Sequence, residues 1–245
     1  MLIRKLSFLI TICIGLGIES IAVCQDKTAN KFDSLSVTSL NGVAAKAIAQ
    51  VAIDNHLPVG LVLDKNVCTI QLHSPNAAEM SAAQLASELN RQLASYDFTW
   101  TNGILTGRPR ALNPNTADLL GYRIREFKTN NPDTHLFMAE TLWMFTRGQL
   151  YPDQGTGFMG GVPPHEETIA GFSASDQTVE QILDHIARLG SGAVWIVKTR
   201  PTDWRKIGTI PFAMFDFVGD ADELSRFICA DDEGTQSPPQ PYSPQ

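Results

Sequence analysis

A helix-then-strand segment occurs twice in this chain, in matching register and without a gap. The first copy spans residues 81–100 and the second 178–197. Ser81-Ala82-Ala83-Gln84 lies against Thr178-Val179-Glu180-Gln181, Leu85 and Leu89 against Ile182 and Ile186, and Phe98 and Trp100 against Trp195 and Val197. In both copies a hydroxyl residue stands three positions before a glutamine. The hydroxyl accepts a hydrogen bond from an otherwise unpaired helix N–H while the glutamine reaches back, which is a capping box. A repeat of caps and apolar positions constrains the fold to two related modules. The fold class expected is α+β: two small tandem modules of βαβ-βαβ type with mixed sheets, then a C-terminal strand and helix.

The first module, 35–110, reads as a strand at 35–40, a helix at 43–55 with apolar residues at helical spacing, and strands at 59–63 and 67–73. The capped helix follows at 81–94. Strands at 97–101 and 104–106 flank Asn102-Gly103, a hairpin signal because a type I′ turn needs positive φ at both central residues. Residues 111–119 read as a link. The second module, 120–201, begins with a strand at 122–127. Asn131-Pro132 then reads as a helix start, with a capping residue before a proline, and Gly148 suits the end of that helix after residue 147. A Gly- and Pro-rich loop fills 149–164, followed by a strand at 168–172, the second capped helix at 178–189 and a strand at 193–198.

The extension, 202–230, holds an apolar strand-like run at 210–217 and a short helix at 222–229. Pro211 lacks an N–H, so the run belongs at a sheet edge or a strand start. Residues 231–245 are acidic and then rich in Pro, Gln and Ser, a composition expected to be disordered.

Arg4 and Lys5 precede a short apolar run, 6–18, closed by Glu19. That run is shorter than a membrane-spanning helix needs, and it makes residues 1–24 a secretory signal peptide. Residues 25–34 form a linker. The alternatives are an uncleaved anchor and a lipoprotein acylated at Cys24, since Ile21-Ala22-Val23-Cys24 resembles a bacterial lipobox apart from the bulky Val23. Loss of Arg4, Lys5 and Glu19 takes the net charge from −7 to −8. Nucleic acid needs a basic patch to displace counterions, so it is not an expected partner. Cys68 and Cys229 remain after cleavage, a candidate disulfide in an exported protein. The plainer alternative is two buried free thiols.

The order of the first module resembles the secretin and TonB short N-terminal module. The likeness rests on residues 44–63, where a helix leads through Leu57-Pro58-Val59 into a strand, on 70–72, on 83–93, and on Tyr96-Asp97-Phe98-Thr99-Trp100 through Gly103-Ile104-Leu105. The second module matches best over 178–197. The resemblance implies a periplasmic module that makes protein contacts. No plug, barrel or secretin core follows in this chain, so pore and receptor activities do not transfer.

Motifs for chemistry are weak. Gly155-Thr156-Gly157-Phe158-Met159-Gly160 has the letters of a dinucleotide loop, but Val162-Pro163-Pro164 follows, which prevents the required helix from opening there. Gly171-Phe172-Ser173-Ala174-Ser175 lacks the last glycine of a nucleophile elbow. The five histidines are scattered, and no paired metal-ligand motif occurs. No catalytic residue, cofactor or metal is therefore expected. The functional expectation is an exported, non-enzymatic binding or scaffold protein, secreted or periplasmic, whose partner is an envelope or extracellular protein captured by strand addition. Candidate contact residues are Gly155, Phe158 and Met159 in the loop, and Phe212, Phe215 and Phe217 in the extension. The alternative is a small-ligand binder, or an unrecognised enzyme, with a pocket between the modules.

Overall fold

The computed structural model describes residues 29–37, 40–64, 67–73, 78–129, 131–150, 167–198, 212–217 and 224. After a single 3-10 turn at Ala29–Phe32, the first half runs β1 (Leu35–Val37), β2 (Gly42–Val43), α1 (Ala44–Asn55), β3 (Val59–Leu63), β4 (Gln71–Leu72), β5 (Ala78–Met80), α2 (Ala82–Gln92), β6 (Tyr96–Thr101) and β7 (Ile104–Pro109). Helix α3 (Pro114–Gly121) joins the halves. The second half runs β8 (Arg123–Lys128), β9 (Asp133–Thr134), α4 (His135–Leu150), β10 (Thr168–Ile169), β11 (Ser173–Thr178), α5 (Val179–Ala187), β12 (Ala193–Lys198) and β13 (Phe212–Asp216). The protein is α+β, as expected.

The repeat is wider than its helix and strand. In the first half β1 pairs with β5 and β2 with β4, both antiparallel. In the second half β8 pairs with β11 and β9 with β10 in the same sense. Each half thus sets two short ribbons around its first helix, and each then continues through a capped helix into an antiparallel strand pair, β6–β7 or β12–β13.

The two halves do not close separate sheets. One five-stranded mixed sheet has the order β13-β12-β3-β7-β6, in which β12 and β3, one from each half, are parallel neighbours. Strands β3 and β12 are buried on both faces, which is why each reads as an unbroken apolar run rather than as an alternation. Val59, Leu61, Leu105, Phe98, Val194 and Phe215 face helices α1 and α2. Val62, Ile104, Trp195, Val197 and Met214 face α3, α4 and α5. The result is three layers with one core on each side of the sheet.

The aromatic at matching positions of the two copies packs in the same way. Phe98 lies across from Gly107 and Trp195 across from Gly60, and in each case the ring covers the glycine so closely that a Cβ there would overlap it. A glycine on the neighbouring strand is what lets each ring lie flat against the sheet.

Several local expectations need correction. Asn131-Pro132 does not open α4; the Thr134 hydroxyl accepts from the Phe137 N–H at 3.2 Å and the helix begins at His135. The asparagine-proline start is used at Asn113-Pro114 instead, where the Asn113 side chain accepts from the Asn115 N–H and opens α3 inside the expected link. Gly148 lies within α4, not beyond it. The strand expected at 67–73 is reduced to Gln71–Leu72, with a turn at 67–69. The strand expected at 168–172 is reduced to Thr168–Ile169, and a further strand, β11, fills the interval before the capped helix, for which no strand was expected. Asn102 and Gly103 do adopt the positive φ values of a two-residue hairpin turn, +53° and +79°.

Candidate functional site

The residues picked from sequence divide sharply. Gly155, Phe158 and Met159 lie outside the described residues, as do the extension helix apart from Leu224, the signal segment and the tail. Phe212 opens β13. Phe215 and Phe217 are core residues, 6% and 7% exposed, packed with α1 and α2. Their rings are therefore not surface contacts, because buried aromatics are held by the layer they fill. Cys68 is disulfide-bonded, and its partner cysteine lies outside the described residues. Ser173 begins a strand rather than a sharp strand-to-helix turn, so the elbow geometry is not present there.

Strand β13 is terminal in the sheet order, as the Pro211 argument expects. The opposite terminal strand, β6, is closed along part of its length by a side chain. Asn90 of α2 donates from Nδ2 to the Phe98 carbonyl at 2.7 Å and accepts the Phe98 N–H on Oδ1 at 2.7 Å. The amide mimics a neighbouring strand, which blunts the edge against another chain.

A cavity of about 220 Å³ opens where the halves meet. The first half supplies Lys31 and Phe32 from the N-terminal turn, His56 and Pro58 from the α1–β3 junction, and Gly103 from the β6–β7 hairpin. The second half supplies His185 and Arg188 from the end of α5, and the 189–192 turn leading into β12. His56 takes φ +48°, ending α1 with its N–H bonded to the Ala52 and Ile53 carbonyls. Its ring meets Phe217 edge-on at 5.5 Å. His185 stacks on Phe172 at 4.4 Å, and burial, with Arg188 beside it, pushes its pKa down. Arg188 donates to the Asp184 carbonyl at 3.0 Å and, across the seam, to the Asn102 carbonyl at 2.7 Å.

The wall behind this cavity is braced by buried polar groups. The Glu167 carboxylate accepts the Ser191 N–H at 2.8 Å and the Ser191 hydroxyl at 2.5 Å. The Glu167 N–H donates to the buried carboxylate of Asp216 at 2.9 Å. His135, 1% exposed, sets Nε2 3.1 Å from the Leu189 carbonyl, and burial lowers its pKa. Three elements, α4, β13 and the β10 approach, thus fix the 189–192 turn.

A second cluster lies one turn earlier on α5. Glu180 is ion-paired with Arg108 of β7, and burial lifts its pKa to about 7 against that pairing. Asp184 accepts the Trp195 indole N–H at 2.8 Å, and burial lifts its pKa to about 6. These carboxylates are packed between helix and sheet and do not line the cavity. Among the described residues no group of three or more His, Cys, Asp or Glu is placed to hold a metal, and no helix is long and apolar enough to cross a membrane.

Sequence reasoning passed over Lys31, His56, His185 and Arg188. His185 and Arg188 stand three apart beside Gly190-Ser191-Gly192, a visible local signal of a turn at a helix end, where Gly190 and Gly192 take positive φ. Lys31 and His56 join them only through the β3–β12 pairing. Compared with protein-family models, with curated proteins and with solved structures, the chain matches none.

Proposed function

We propose that this chain is an exported, non-enzymatic binding protein and that it takes a small ligand in the seam cavity. The observation that supports this most is the make-up of the lining, which draws on both halves and carries four basic or titratable side chains, Lys31, His56, His185 and Arg188. The volume is below the range of drug-sized pockets, which begins near 300 Å³, so the ligand is compact or offers one compact group. Export rests on the signal-like residues 1–24, and a periplasmic setting on the resemblance of the first half. The cavity is preferred to an aromatic contact surface at the extension because Phe215 and Phe217 are inside the core.

The test is a fragment screen by ligand-observed NMR on the wild type and on Leu189→Trp, which fills the cavity from its half-buried wall. Fragments that bind the wild type and are lost from a variant of unchanged melting temperature are the expected result. A screen in which no fragment depends on the cavity overturns the proposal.

A further inference from the structure

We propose that the seam cavity is an anion site: it takes a small organic anion whose carboxylate or phosphate meets Lys31 and Arg188 and whose apolar part lies on Phe32, Pro58 and Leu189. This rests on the cavity being the binding site and adds the chemical class of the ligand.

Three observations carry it. Among the described residues the lining contains a lysine and an arginine and no carboxylate, although the chain as a whole has 26 acidic against 19 basic residues. A pocket of this sign in an acidic protein runs against its own average, and cationic walls around a low-dielectric cleft concentrate anions there.

Two acids beside the 185–192 part of the lining are also already engaged. Asp184 accepts from the Trp195 indole at 2.8 Å, and Glu167 accepts both donors of Ser191. The Arg188 guanidinium acts on Asp184 against the burial that raises its pKa, but the hydrogen bond shown for that carboxylate is to the indole. Lys31 is exposed, and the interaction shown for its ammonium is with the Phe32 ring, 5.3 Å to the centroid. An ammonium held near an aromatic wall keeps its three donors for a ligand.

Arg188 has a structural duty, since two of its N–H groups bond main-chain carbonyls. A guanidinium has five donors in a fixed fork, so that duty orients the group without using it up. Phe32, Pro58 and Leu189 give the same cavity an apolar side. A bare inorganic ion would leave that side wetted, whereas an organic anion covers it.

Isothermal titration with four probes of one shape tests the class: benzoate and phenyl phosphate as anions, benzyl alcohol as the neutral analogue and benzylamine as the cation. The expected result is at least tenfold tighter binding of one or both anions than of the neutral and cationic probes. That binding weakens with added salt, falls at least tenfold in Lys31→Glu and is kept in Lys31→Arg. Lys31→Glu changes an exposed side chain and should melt as the wild type does; Arg188→Lys is the second variant, with its melting temperature as control. If benzyl alcohol or benzylamine binds as tightly and is lost in Leu189→Trp, the anion class is wrong and the cavity reading stands. Undiminished anion binding in Lys31→Glu also overturns the class. If no probe binds the wild type, the anion class fails, and the cavity reading fails with it if the fragment screen is empty too.

Discussion

Helices α2 and α5 open on the same capping box, with nearly the same distances. Ser81 and Thr178 each accept the N3 amide at 3.2 Å, and the two glutamines accept the cap N–H at 2.8 and 2.9 Å. Beyond the caps the copies diverge. Strand β6 is terminal in the sheet and alternates buried with exposed residues, whereas β12 is internal and buried throughout except at its last residue. Where α2 has exposed Ala83 and Ser87, α5 has Glu180 and Asp184 against the sheet. Glu88, bonded by Arg91, has its pKa drawn down to about 2, while burial lifts Glu180 to about 7. One local design thus serves an edge in the first copy and the centre in the second. Its neighbours, not its cap, decide how it is used.

The comparison is most strained at its aromatics. Trp195 is fully buried and its indole is the donor to Asp184, so Trp195→Ala leaves both a large cavity and a carboxylate without that partner. A loss of about 5 kcal/mol is expected. Phe98→Ala removes a buried ring with no polar tie and should cost about 3 kcal/mol. Urea unfolding of both variants checks this, and equal losses would break the distinction between centre and edge. The glycines beneath these rings give the next effect. Gly60→Ala pushes on an indole pinned between β3 and α5, for about 3 kcal/mol; Gly107→Ala pushes on a phenyl ring of the terminal strand, for about 2 kcal/mol. The two should part in their melting temperatures in that order.

The capped helices, the Asn102-Gly103 hairpin and strands β3 and β12 were legible because each carries its signal within a few residues. Strand β11 was not, since Ser173–Thr178 is polar and only Ala174 is buried. It is held by its ladder with β8 rather than by an apolar face of its own. Helix α3 was legible in principle, as Asn113-Pro114 carries the signature that was assigned to Asn131-Pro132. The shared sheet was half-written in the unbroken apolar runs of β3 and β12, which indicate burial on two faces. What sequence does not specify is that each covers the other's edge. The cavity lies deeper still, because Lys31 and His56 reach His185 and Arg188 only once that pairing exists.

Acid–base behaviour sharpens the comparison further. Glu180 titrates near 7 in the folded chain, against about 4.5 as its ordinary value. Its protonated form is therefore favoured by folding, so its contribution is fully present below pH 4.5 and is lost as pH rises through 7. Glu180→Gln holds the neutral state at every pH. The stability of this variant relative to wild type should rise across that window by on the order of 2 kcal/mol, taking part of the shift for the Arg108 pairing. His135 and His185, whose pKa values are lowered, act in the opposite sense and favour folding above pH 6.5, but they are common to both proteins and cancel in the difference. Ser87→Ala, at the first-copy position matching Asp184, should leave the pH profile unchanged. Chemical denaturation from pH 4 to 8 reads both; a flat difference for Glu180→Gln removes the buried-carboxylate contrast.

The smallest effect tests what the copies still share. Ser81→Ala and Thr178→Ala each delete one cap acceptor from the same geometry, and each should cost about 1 kcal/mol. The environments differ greatly, since α5 is wedged among α3, α4 and the sheet while α2 covers the other face near the terminal strand. If cap energy is local, that difference does not enter, and urea midpoints of the two variants shift equally. A Thr178→Ala loss of several kcal/mol would mean that the cap also fixes the angle at which β11 enters α5. It would then be holding Arg188 and the cavity floor as well as a single helix turn. Equal and small shifts keep the cap as the common element and leave every functional difference to the residues that follow it.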